Sequence, residues 1–220
     1  MDVGIVGATG PAGSALAARL ASVGMDVVVG SRSKDRAQDT CATILQRWPD
    51  RELSLSPADN AVAADAEVVV IATPWDAAAS TAASVAGQLE GKVVISMANA
   101  LVRLGDDFAA VVPPRGSVAA HVQAALPASM VAAAFQHLPA RSLAALDKPV
   151  ESDVLVCTDH PAAYEVTARL VNAVPHLRAL QAGSLASAAP VEALTAVLLQ
   201  LNVRYRTRAA LRLTGIDLDR

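Results

Sequence analysis

The sequence predicts the α/β class: a doubly wound, mostly parallel sheet with a smaller helical portion at the C-terminal end. Three observations carry this prediction. The apolar run Val3-Gly4-Ile5-Val6 enters Gly7-Ala8-Thr9-Gly10-Pro11-Ala12-Gly13 and passes directly into a helical stretch, so a strand delivers a glycine turn to a helix N-terminus. Short β-branched runs then alternate with helical stretches, which argues for right-handed βαβ units. The 220 residues are 53% hydrophobic and 18% charged, a composition that supports a substantial core and argues against disorder.

Each element follows in order. Residues 14–21 read as a helix with Leu16, Leu20 and Val23 on one face, and Gly24 stops it. Val27-Val28-Val29, within 26–30, is a β-branched run expected where both faces of a strand are covered. Residues 31–47 read as a helix capped by Ser31 or Ser33. Leu53-Ser54-Leu55 is a weaker strand, followed by Pro57 and a short helix containing 61–64. Residues 67–71 are the strongest strand, and Ala72-Thr73-Pro74-Trp75 leaves it, with Pro74 suited to a first helical position and Trp75 to packing. A helix over 76–89 and a strand over 92–95 come next, and 96–116 show no clear period. Beyond them lie a helix (117–126), a strand (130–135), a short helix (142–146), a strand (153–157) and a helix (161–174). The last helix starts near Ser187, marked by Pro190 and Glu192, with Leu194, Val197, Leu198 and Leu201 as its apolar face. The pattern divides into a nucleotide-binding part, 1–150, and a smaller C-terminal part, 151–220.

Composition narrows the function. A net charge of −3 makes no case for nucleic acid or a membrane surface. No uninterrupted apolar run approaches the ~20 residues of a membrane span. Cys41 and Cys157 fit neither a disulfide framework nor a metal spacing and read as small buried hydrophobes in a reducing compartment. With no signal-type segment at residue 1 onward, a cytoplasmic protein is expected. His121, His160 and His176 show no metal-ligand spacing.

The glycine turn has a specific chemistry. Backbone N–H groups at a helix N-terminus lack partners, and the helix dipole favours anions there, so Gly7, Thr9, Gly10, Pro11, Ala12 and Gly13 make a Rossmann-like pyrophosphate site. An NAD site places a carboxylate at the end of the second strand. Here that strand ends Val29-Gly30-Ser31-Arg32, so Ser31, Arg32 and Arg36 would hold a 2′-phosphate instead, which selects NADP. Thr73 and Pro74, and the segment from Ser96 through Met97 and Ala98 to Asn99, leave the fourth and fifth strands at the same ligand edge, where small residues leave room for a second flat ring. His137 either orients a substrate or is a structural donor. Arg204, Arg208 and Arg212 at i, i+4, i+8, with Tyr205 and Arg206 beside them, either bind a polyanionic tail, solvate the helix or mark a subunit contact.

Elimination adds to this. Neither Tyr164 nor Tyr205 is followed four residues later by Lys, and Lys34, Lys92 and Lys148 are the only lysines. No Ser-His-Asp or Cys-His arrangement suggests itself. The residues describe a dinucleotide site without acid–base machinery and leave two further readings open. One is an NADPH-dependent reductase of a C=N or C=O bond, with His137 or Tyr205 as proton donor; the other is a non-enzymatic NADP sensor.

Several separated stretches in one order resemble a known family, the NADPH-dependent reductases of the deazaflavin coenzyme F420. They are residues 7–13, Val29-Gly30-Ser31-Arg32, Ile71-Ala72-Thr73-Pro74-Trp75, Asp153-Val154-Leu155-Val156-Cys157, Val191-Glu192-Ala193-Leu194-Thr195, 202–205 and Arg212-Leu213-Thr214-Gly215. The resemblance implies a Rossmann domain, a smaller C-terminal domain and a cleft between them where NADP(H) meets F420 as second substrate. It implies direct hydride transfer, which needs no catalytic acid or base. It places Thr9, Gly10, Pro11 and Ala12 on the pyrophosphate, Ser31, Arg32 and Arg36 on the 2′-phosphate, and Thr73, Pro74 and Asn99 toward the ribose and nicotinamide. Met97, Ala98, Gln136, His137 and Arg206 fall on the deazaflavin side, with the arginines suited to its acidic tail. Two departures stand out: Gln136 followed by His137 where relatives tend to have His, and Pro11-Ala12 where Asn-Leu is more usual. The apolar face of the last helix leaves room for a homodimer.

Overall fold

The computed structural model describes residues 1–217. The first half runs β1 (Asp2–Val6), α1 (Pro11–Ala21), β2 (Asp26–Ser31), α2 (Lys34–Arg47), β3 (Leu55–Asp59), α3 (Asn60–Ala64), β4 (Val68–Ile71), α4 (Trp75–Ser84), α5 (Ala86–Leu89) and β5 (Val93–Ser96). It continues with β6 (Leu101–Leu104), β7 (Asp107–Ala110), α6 (Val118–Ala125), β8 (Met130–Ala133) and α7 (Ala140–Leu143). The remainder is β9 (Ser152–Thr158), α8 (Pro161–Asn172), β10 (Leu177–Gln181), a 3-10 turn at Leu185–Ser187 and α9 (Ala188–Tyr205).

Eight strands form one sheet in the order β10-β9-β8-β5-β4-β1-β2-β3. Every pairing is parallel except β8 with β9. The chain moves outward from β1 to β3, then returns to β4 on the other side of β1. The order reverses between β1 and β4, and the crevice at the carboxyl ends of these strands is where open α/β sheets bind ligands. β9 and β10 carry the sheet past residue 150, so the chain leaves it for α9 only after Gln181.

Both faces are covered, which is why the central strands are almost continuously apolar. Val3, Ile5, Val70 and Ile95 pack under α1, α2 and α8, while Val6, Val69, Ile71 and Val94 pack under α3, α4 and α6. Cys41 and Cys157 are free and buried within these two layers. Arg19 on α1 is nearly buried and donates to the carbonyls of Ser142, Leu143 and Ala145, tying α1 to the end of α7 and the chain that follows it.

Several expectations shift. The third strand lies over Leu55–Asp59 and contains Pro57; as the sheet's edge it pairs with β2 alone, so the missing N–H of proline faces no partner. The aperiodic stretch holds a hairpin, β6 with β7, in which Leu104 opposes Asp107 across the two-residue loop Gly105-Asp106. The helix over 76–89 divides into α4 and α5, and α7 starts at Ala140, directly after Pro139, instead of at Ser142. β10 was not expected at all.

The arginine stripe is not helical. α9 ends at Tyr205, Arg206 adopts a left-handed backbone (φ 51), and the side chain and carbonyl of Asn202 accept from Ala209 N and Thr207 N. This cap turns the chain away, so Arg208 and Arg212 do not continue the face of Arg204. Arg212 instead lies 3.4 Å from Asp153, a buried carboxylate also held by Arg178 and Leu213 N. By length and composition alone Leu185–Tyr205 could cross a membrane. It carries Glu192 and Thr195 into the protein interior.

Gly4 shows how closely these layers meet. A Cβ there would stand 1.7 Å from the carbonyl oxygen of Ala63, so α3 rests directly on β1. Gly4→Ala is expected to destabilise the fold by about 3 kcal/mol through overpacking, read as a lower urea midpoint; an unchanged midpoint would mean that α3 is not held against β1.

Candidate functional site

The site begins at the carboxyl end of β1, where Gly7 takes a positive φ of 77 and a Cβ would lie 2.3 Å from Thr73 Cγ2. A Cβ on Gly13 would lie 2.8 Å from Ala8 Cα and 3.0 Å from Ala72 Cβ. Only glycine lets α1 approach the ends of β1 and β4 this closely. The turn is tied down by Ala8 N donating to Gly30 O (2.9 Å) and Gly7 N donating to Asn60 Oδ1 (3.1 Å). Gly10 is the N-cap of α1, has no side chain to close the first turn, and is followed by Pro11 at N1. The first-turn N–H groups have no partner within the helix, so the turn is open to an anion.

At the end of β2, Ser31 is buried and its Oγ accepts from Ser33 N at 3.3 Å. Arg32 and Arg36 are exposed, and among the described residues neither has a carboxylate partner. Thr73 is half-buried and Pro74 is the exposed N-cap of α4. Met97 and Ala98 are buried, continuing from β5. Asn99 donates Nδ2 to Gln136 O (2.7 Å), and Thr195 on α9 shares its hydroxyl between Asn99 Oδ1 (3.2 Å) and Gln136 O (3.4 Å). The fold thus joins the ends of β5 and β8 to the middle of α9. Phe135, just past β8, takes a left-handed backbone (φ 66), a strained conformation for a bulky residue.

Polar atoms without partners gather at this edge. Thr73 Oγ1, Ser96 Oγ and both amide atoms of Gln136 are buried with no hydrogen bond. Such groups cost about 1–3 kcal/mol each when left unpaired, so a polar ligand seated over β4, β5 and β8 would stabilise them. The donor set fits a dinucleotide, with phosphates on the α1 turn and its far end over Thr73 and Asn99.

The comparisons with known proteins agree with this geometry. The family model described as NADP oxidoreductase, coenzyme F420-dependent, matches residues 2–100. The F420-dependent NADP reductase of Methanocaldococcus jannaschii is 33% identical over 224 residues, 99% of this chain and 100% of its own. That of Methanothermobacter thermautotrophicus is 33% identical over 98% of this chain and 96% of its own. The chain belongs to the F420-dependent NADP reductase family. In fold, a crystal structure of a candidate F420-dependent NADP reductase from Arthrobacter sp. FB24 superposes with a TM-score of 0.81 over 96% of this chain and 98% of that one, at 23% identity.

Two residues expected on the deazaflavin side lie elsewhere than the open edge. His137 is 2% exposed, and its Nε2 meets Asp153 O at 2.8 Å, which fixes the Nε2–H tautomer; burial lowers its pKa, so the ring stays neutral. Arg206 lies eleven positions beyond Thr195 on α9, roughly 16 Å along the axis, and is exposed. Three further residues hold this edge together: Asn60 under the glycine turn, which carried no signal in the sequence, and Glu192 and Thr195 on one face of α9, which entered only within the family-like stretch 191–195.

Glu192 is a buried carboxylate, 4% exposed. Its oxygens accept from Val118 N (2.9 Å) and Ala119 N (3.1 Å), closing the N-terminus of α6 from another helix. Burial pushes its pKa up to about 7 from an ordinary 4.5, against the downward pull of the two N–H groups. The folded protein therefore holds a proton between these values that the unfolded chain has released, so stability falls as pH rises from 4.5 to about 7. Glu192→Gln is expected to flatten the melting temperature over that range, as followed by circular dichroism. A slope identical to that of the unmodified protein would show that Glu192 is already ionised throughout.

Proposed function

We propose that the chain transfers a hydride directly between NADP(H) and the deazaflavin coenzyme F420. The observation that carries the reading is an open, glycine-lined α1 turn beside a cationic end of β2 that has no carboxylate to bind an unphosphorylated ribose. The chain's third-identity relatives, F420-dependent NADP reductases over nearly their whole length, supply the second substrate. The two coenzymes provide the redox chemistry when bound, and the protein's own residues hold and orient them.

In this reading Gly7, Thr9, Gly10, Pro11, Ala12 and Gly13 receive the pyrophosphate, and Ser31, Arg32 and Arg36 the 2′-phosphate. Thr73, Pro74 and Asn99 approach the ribose and nicotinamide. Met97, Ala98 and Gln136 face the deazaflavin, His137 pins the 136–138 segment to β9 from inside, and Arg206 belongs to the acidic end of that coenzyme. Of the smaller part expected over 151–220, α9 closes the cleft, while β9 and β10 extend the sheet of the nucleotide-binding part. A cytoplasmic setting suits the two free buried thiols. Exposed Val197, Leu201 and Tyr205 along α9 suit a homodimer, which sedimentation at the monomer mass would exclude.

Mixing the protein with NADPH and oxidised F420 is expected to bleach the deazaflavin absorbance, and no change at saturating NADPH would overturn the proposal. Arg32→Ala should weaken NADPH binding by about tenfold, the loss of one charge-assisted hydrogen bond, and leave NADH affinity within about twofold; equal losses for both would refute the 2′-phosphate assignment.

A further inference from the structure

β8 pairs with β9 only through Ala132 and Ala133, opposite Thr158 and Cys157, so the start of β9 extends past the end of its neighbour. Asp153 lies in that stretch and uses both of its backbone groups on other partners. Its N–H donates to Leu211 O (2.7 Å), and its C=O accepts from His137 Nε2 (2.8 Å). Leu211 belongs to the chain that follows the cap of α9, and His137 to the chain that leaves β8. The same two segments meet across a cavity of about 460 Å³, lined by Pro139 and Ala140 from one and by Val203 and Thr207 from the other. One residue thus holds both walls of that cavity.

The side chain of Asp153 adds to its hold on the second wall. The carboxylate is fully buried, engaged by Arg178 through two hydrogen bonds (2.6 and 2.8 Å) and by Leu213 N (2.7 Å), with Arg212 Nη1 at 3.4 Å. Arg178 also donates to Leu213 O (3.0 Å), and Ser152 Oγ to Leu211 O (3.1 Å). Yet residues 206–217 contain no helix or strand, and 212–217 are exposed. A buried ion pair is a poor source of stability, because desolvation of its charges offsets their attraction. Set beneath an exposed segment, it fixes a position. The first wall needs fixing too: Phe135 is strained, and both amide atoms of Gln136 are buried without partners.

We propose that Asp153 is a positioning residue for the second coenzyme: it latches the chain at 207–213 to the start of β9 and, holding His137 from the same residue, sets the width of the crevice that the coenzyme enters. Asp153 acts through these two segments and touches neither coenzyme. The α1 turn is held separately, by Asn60 and Gly30, so NADP(H) binding does not depend on the latch. The identity of the coenzyme rests on the hydride-transfer reading; the latch itself does not.

The test compares the full chain with two variants. Asp153→Asn keeps the shape and removes the charge. Leu213→Pro, at an exposed position, takes away the N–H that the carboxylate accepts and leaves the pair of Asp153 with Arg178 in place. Hydrogen exchange read by mass spectrometry, without coenzymes, follows the latch: amides of 207–213 are expected to exchange about tenfold faster in either variant, the loss of one hydrogen bond to a charged group. Unchanged exchange would overturn the latch, whatever the protein catalyses. Steady-state kinetics follow the positioning: the KM for F420 should rise about tenfold, with kcat and the KM for NADPH within about twofold, the pattern of lost uniform binding. A purely structural Asp153 would lower the melting temperature and leave both KM values alone; that result, or equal rises in both, would overturn the positioning role. Should Asp153→Asn not fold, Leu213→Pro decides on the same two readings. If the unmodified protein reduces no F420, the hydride-transfer reading fails and takes the assignment to the second coenzyme with it, while the exchange result still decides the latch.

Discussion

Everything at the ligand edge depends on one close approach, that of the first turn of α1 to the ends of β1 and β4. Gly7 and Gly13 permit it, because a Cβ at either would collide with Thr73, Ala8 or Ala72. The approach is what leaves first-turn N–H groups facing the crevice where the strand order reverses. It also sets the distance between the α1 turn and Thr73, the two places proposed for the phosphate half of a dinucleotide and for its reactive end. Gly4 and Gly30 serve the layer beneath by letting α3 close on β1 and β2, which brings Asn60 under Gly7 N.

The other half of the site is assembled by polar contacts rather than by glycine. α9 crosses the carboxyl edge with Glu192 closing the N-terminus of α6 and Thr195, one turn later, holding Asn99 and the carbonyl of Gln136. These bonds make one continuous wall from β5 through β8 to α9. None of its titratable members is arranged as a general acid or base toward the open edge: His137 is neutral and turned to Asp153, and Glu192 is spent on α6. That suits a reaction in which two coenzymes exchange a hydride and the protein contributes placement.

Much of this was legible in the sequence, for physical reasons that differ by element. β1, β2, β4 and β5 are buried on both faces, so their β-branched runs stand out, and the glycine turn follows β1 without a gap. Ser31 and Arg32 stand at the end of β2, where the sequence lacks the carboxylate of an NAD site, and their hold on a 2′-phosphate is the proposal made above. Edge elements were harder. β3 tolerates Pro57 and β10 has one paired side, so neither carries the pattern of a buried strand. The β6–β7 hairpin lies outside the main sheet with exposed strands, and its one signal was the Gly105-Asp106 loop. The arginine stripe failed because periodicity carries no sign of a helix end set by an asparagine cap, and Asn202 is an ordinary-looking residue until the chain turns on it. Asn60, Glu192 and Thr195 act across long sequence separations, which no local spacing records.

The central claim is that the hydride moves from one coenzyme to the other with no exchange through a protein group or water. The most direct measurement uses NADPH deuterated at both C4 positions, oxidised F420 and ordinary water, with mass spectrometry of the reduced deazaflavin. The account predicts that every product molecule retains one deuterium. Reduced F420 whose newly formed C–H bond carries protium in place of deuterium would contradict it, whereas the N–H proton taken up with the hydride comes from solvent in either case.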